Sequence, residues 1–97
     1  MIGGPSPGVA VHAVAHRGQK AATFGRFIIS AAYEVGVQPR SVRCLLISTV
    51  LPPDWNLREL DDLVTTVAHG FDGADAAIMS AVYDGFADTP SVLLVCS

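Results

Sequence analysis

Residues 69 to 73 of the chain read His-Gly-Phe-Asp-Gly, so an imidazole, an aromatic ring and a carboxylate fall within one short stretch. His69 carries an imidazole at the head of the turn, and Asp72 can cap a helix that follows it. Phe71 between them offers a flat apolar surface. His12 and His16 form a second grouping. If they lie on a strand they share a face but stand about 13 Å apart at about 3.3 Å per residue, too far to hold one metal ion directly. Asp61, Asp62, Asp72 and Asp75 raise the question of paired carboxylates for acid–base work. Asp61 and Asp62, however, are neighbours on a helix surface, and Asp72 and Asp75 suit the start of a helix. Ser30, Ser48 and Ser80 lie in no Gly-x-Ser-x-Gly turn, and the leader "GGPSPG" lacks the lysine of a phosphate loop. Trp55, beside two prolines in "PPDWNL", is a residue type that anchors interfaces and also one that caps its own core. No catalytic set and no metal-ligand set emerges, and no cofactor is implied. The binding candidates are Trp55, His69, Phe71 and Asp72.

The elements that carry these residues follow from periodicity. "VAVHAVAH" (9–16) alternates, which marks a strand. Phe24, Phe27, Ile28, Ala31, Ala32 and Val35 recur at helical spacing, and Gly36 sits where a left-handed cap closes a helix over 21–35. "SVRCLLISTVL" (41–51) reads as a central strand that the two following prolines end. Asn56 with Glu59 has the spacing of a capping box, and Leu57, Leu60, Leu63, Val64 and Val67 stripe a second helix to Ala68. "GADAAIMSAVYDGF" predicts a third, sandwiched helix from Gly73 or Ala74 to Phe86 with Asp72 as its cap. "VLLVC" (92–96) reads as a last buried strand. The order predicts one α/β domain over 1–97, a loop leader at 1–8, and a small, mostly parallel sheet with helices on both faces.

Composition narrows the partners. Only 15% of the 97 residues are charged, 51% are hydrophobic, and the net charge is −3. Low charge on a chain this short suits apolar surface buried against a partner, and equally a compact Ala- and Val-rich domain. The scattered arginines and acidic balance argue against nucleic acid and against a polybasic membrane patch. No charged and apolar leader suggests secretion, and no apolar run approaches the roughly 20 residues of a membrane span. Cys44 and Cys96 sit apart in strand-like runs, which suits a reduced, cytoplasmic setting.

The patterns "SAAYEVGVQPRSVRCLLIST" and "GADAAIMSAVYDGFADTPSVLLVCS" resemble the amino-terminal half of the thiolase and β-ketoacyl synthase superfamily. That resemblance implies a truncated thiolase-like half-domain and a cysteine nucleophile at the amino end of the third helix. Gly70, Phe71 or Asp72 stands there instead, and the family's second half, with its other catalytic groups, is missing. The expectation is therefore a chain leaning away from catalysis: an interaction or accessory module in fatty-acid or polyketide-type acyl metabolism. It would pair with itself as a homo-oligomer, or with a larger ketosynthase-like or acyl-carrier partner. Two other readings stand beside it. One is a small oligomeric enzyme, chorismate mutase-like, with a site at a subunit interface built from His12, His16, His69 and arginines. The other is a fragment of a longer ketosynthase-like enzyme.

Overall fold

The computed structural model describes residues 8–97, so the leader expected at 1–8 lies outside the described residues except for Gly8. Strand β1 (Val9–Val14) keeps its alternation, burying Val11 and Ala13 and exposing Ala10, His12 and Val14. Helix α1 (Ala21–Glu34) buries Phe24, Gly25, Ile28 and Ala32 along one stripe. It ends at Gly36, whose φ of +99° is open to glycine at little cost. Val37 N–H then donates back to the Ala32 carbonyl at 3.1 Å, satisfying one of the helix's last acceptors. A single 3₁₀ turn (Pro39–Ser41) leads into β2 (Cys44–Leu51).

Helix α2 (Leu57–His69) opens as its sequence predicts, with Asn56 Oδ1 accepting from the Glu59 N–H at 2.9 Å. Leu60, Leu63 and Val67 form its buried stripe. Gly25 lets α1 and α2 approach closely: a β-carbon there would stand 2.8 Å from Thr66 Cγ2. The chain finishes with β3 (Ala76–Tyr83) and β4 (Ser91–Cys96).

The four strands form one sheet in the order β1-β4-β2-β3. β4 runs antiparallel to both β1 and β2, whereas β2 and β3 are parallel through the α2 crossover. The α/β class is as expected, and the sheet is mixed. Its buried residues (Val11, Ala13, Leu45, Ile47, Leu51, Val92, Leu94) alternate on one side only, where they meet Phe24 and Ile28 of α1 and Leu63 and Val67 of α2. Both helices therefore cover the same face.

The expected third helix is a strand. Ala76–Tyr83 pairs residue for residue with Cys44–Leu51, and every one of its side chains is exposed. Its alanines favour a helix in isolation, but pairing along a full strand outweighs so small a propensity difference. Asp72 accordingly caps no helix there. Asp75 instead meets Arg43 at 3.3 Å across the strand ends.

Candidate functional site

Three places on this frame could do work. The first is a cleft of about 490 Å³ at the carboxyl ends of β1 and β2, lined by His16, Arg17, Lys20, Asp54, Trp55 and Asp88 among others. Strand ends of this kind are where open α/β sheets receive ligands. Trp55 is nearly buried there and belongs to the core as much as to the cleft wall. Arg17 and Asp88 approach to 3.6 Å, but both side chains are more than four-fifths exposed, so water screens the pair. Arg17 and Lys20 face Asp54, Glu59, Asp62 and Asp88, so acids outnumber bases around the rim.

The second place is a shallow groove at the opposite end, where α2 stops. His69, Gly70 and Asp72 share it with Tyr33 and Arg40. Phe71 turns inward and is buried, with its ring edge-on to Tyr33 at 5.7 Å between centroids. Tyr33 Oη donates to the Gly70 carbonyl at 2.6 Å, which ties α1 to this turn. The four binding candidates thus divide. His69 and Asp72 come together, Phe71 is a core residue, and Trp55 lies a helix length away, about 20 Å at 1.5 Å per residue. The histidines divide as well: His12 is on the sheet, His16 on the carboxyl-end cleft and His69 on the far groove. Among the described residues no group of three His, Cys, Asp or Glu is placed to hold a metal ion.

The third place is the sheet face that the helices leave open. Register puts Ala10, His12 and Val14 of β1 beside Ser91, Leu93 and Val95 of β4. Those lie beside Leu46, Ser48 and Val50 of β2, which lie beside Ile78, Ser80 and Val82 of β3. None of these residues is Asp, Glu, Lys or Arg. Ile78 and Val82 are 59% and 60% exposed, and Val14 and Leu93 are exposed too. Two of the serines bond to each other within the layer, Ser80 Oγ donating to Ser48 Oγ at 3.4 Å. Four strands about 4.8 Å apart and six to eight residues long at about 3.3 Å per residue cover roughly 400 Å² in projection. A contiguous, largely apolar surface of that size falls in the range of the largest patch on an ordinary monomer, about 300–600 Å², which is often functional.

No family model and no curated protein matches the chain. Solved structures do match its fold. An FtsZ variant from M. jannaschii superposes with a TM-score of 0.70 at 22% identity, covering 93% of this chain and 26% of that one. The hydrogenase maturation protein HypE from E. coli gives 0.61 at 18%, covering 93% and 30%. Thiamine monophosphate kinase from Aquifex aeolicus gives 0.63 at 11%, covering 92% and 32%. The likeness is one of fold. This chain spans about a quarter to a third of the length of each of those proteins.

These neighbours overturn the thiolase and ketosynthase resemblance, and with it the expectation of an accessory module of acyl metabolism. The physical reason lies in two elements. The apolar stretch that would have formed the buried helix of a thiolase-like half is the outer strand β3, so no helix amino end exists there to activate a nucleophile. An antiparallel β4 is also inserted between β1 and β2. His12, His16 and His69, which the alternative reading places at a subunit interface, lie apart from one another within the chain. No helix among the described residues is long and apolar enough to cross a membrane. Sequence reasoning missed the open sheet face because the residues that compose it come from four separate segments. Only the register brings them into one plane.

Proposed function

We propose that this protein is a self-assembling α/β subunit whose open sheet face is its assembly surface. The observation that carries the reading is that face itself: largely apolar, without Asp, Glu, Lys or Arg, and contributed by all the strands of the sheet. A surface without charge can meet a second copy of itself with no like-charge conflict, which suits the isologous contact of a two-fold dimer. Burying it removes side chains such as Ile78, Val82 and Leu93 from water at about 25 cal/mol per Å² of apolar surface. A cytoplasmic setting belongs to the same reading, supported by Cys44 and Cys96, which are both free.

The carboxyl-end cleft supports a weaker case. One structural neighbour is named as a kinase of thiamine monophosphate. Here the carboxylates of Asp54, Glu59, Asp62 and Asp88 outnumber Arg17 and Lys20, a field that repels a phosphorylated ligand rather than gathering it.

The assembly reading is tested by Leu93→Asp at the middle of the face. An uncompensated carboxylate in a closed interface costs about 3–5 kcal/mol, so association weakens more than a hundredfold. Light scattering after gel filtration then shows a lower mass with unchanged circular dichroism. A variant that keeps the wild-type mass removes the face from consideration.

A further inference from the structure

We infer that β3 is the strand that joins two copies, its free edge pairing antiparallel with the β3 of a second subunit about a two-fold axis. This rests on the assembly reading above: pairing at the edge joins the two sheets into one of eight strands, and the curl of that sheet turns the two open faces toward each other. The backbone gives the first argument. Just before β3 the Asp75 N–H donates to the Arg43 carbonyl, which Ala76 N–H shares, and at the far end Asp84 N–H donates to the Leu51 carbonyl; from Ala76 onward the even-numbered residues of β3 therefore bond inward to β2. In a parallel ladder the intervening residues point the other way. Ala77, Met79, Ala81 and Tyr83 therefore present their N–H and C=O groups along the outer edge.

The second argument is that nothing guards that edge. Soluble proteins blunt edge strands with charges, prolines, bulges or a covering element. Ala76–Tyr83 holds no charged residue, proline or glycine, and its register with β2 is unbroken over all eight positions. The helix-side face of β3 is bare as well, with Met79 47% and Tyr83 49% exposed. The open face alone is also modest, its roughly 400 Å² in projection comparing with about 800 Å² of accessible surface per partner in a standard interface. The edge and flank of β3 enlarge it.

The third argument selects a second copy as the occupant. With Ser80 opposite Ser80 at the axis, Ile78 meets Val82 on the open face. Met79 meets Ala81 and Ala77 meets Tyr83 on the helix side, large against small. Those odd-numbered pairs are the hydrogen-bonded ones, as the edge geometry requires. Asp84 then falls opposite Ala76 and Asp75 opposite Gly85, whereas a parallel pairing would set Asp84 against Asp84. The strand is self-complementary in one direction only.

The experiment is Ala81→Pro in the full chain, with Ala81→Ser as its companion. Proline removes an outward N–H without breaking a bond to β2, a position where edge strands accept it. The expected result is that Ala81→Ser keeps the wild-type mass while Ala81→Pro falls to half of it or less with unchanged circular dichroism. An oligomeric wild type whose mass survives Ala81→Pro overturns the inference. If Leu93→Asp alone dissociates the protein, the face reading stands and the strand pairing falls; a monomeric wild type removes both. Should Ala81→Pro fail to fold, amide exchange in the wild type decides. The N–H groups of Ala77, Met79, Ala81 and Tyr83 are expected to match Ile78 and Val82 in protection. Exchange a hundredfold faster at the odd positions contradicts the pairing.

Discussion

Cys96 and Cys44 lie on adjacent strands with opposite fates. Cys96 is buried on the helix side of β4, and burial pushes its thiol above the usual 9.0. Cys44 is partly exposed at the start of β2. Because the folded thiol is the harder one to ionise, its contribution to stability is complete below pH 9.0 and is lost as pH rises through the folded value. Urea midpoints of the wild type should therefore decline at alkaline pH more steeply than those of Cys96→Ala. Equal slopes would mean that the site does not resist ionisation. Asn56 makes a second prediction at this scale. Its side chain satisfies the Glu59 N–H, so Asn56→Ala should lower stability by about 1 kcal/mol at an unchanged denaturant slope. These local features were legible in the sequence, because a capping box and a strand cysteine depend only on near neighbours. His69 and Asp72 come together on one groove, as their closeness in the sequence implies. That Phe71 faces the core depends on Tyr33, far away in the chain.

Among the elements, both helices and three of the strands could be read from periodicity, and β3 could not. Its alanines and its lack of alternation mimic a buried helix. The lack of alternation has a cause: neither face of β3 is covered within one subunit, so no pattern separates inside from outside. One signal favoured the strand nonetheless: Asp72-Gly73 and Asp84-Gly85 punctuate both ends. The helical layer makes its own prediction at Gly25. A methyl group there drives into Thr66, on the rigid part of a β-branched side chain, so Gly25→Ala should destabilise by about 1–3 kcal/mol despite its better helix propensity. Thermal unfolding checks this, and a gain in stability would show that α1 and α2 have room to separate.

At the scale of the whole molecule, the chain is a two-layer structure whose sheet has one uncovered face. Helices cover one side of the sheet, and the other presents a largely apolar surface without Asp, Glu, Lys or Arg. FtsZ, HypE and thiamine monophosphate kinase contain this fold as one part of a longer chain. A second copy can supply for this fold the cover that another part of a longer protein can supply from within. The measurement that tests this most directly is the mass of the purified protein in solution, by light scattering or sedimentation over a range of micromolar concentrations. The account predicts a closed oligomer, with a mass that is a small multiple of 10.1 kDa and steady across that range. A soluble, well-folded monomer of 10.1 kDa at every concentration would contradict it.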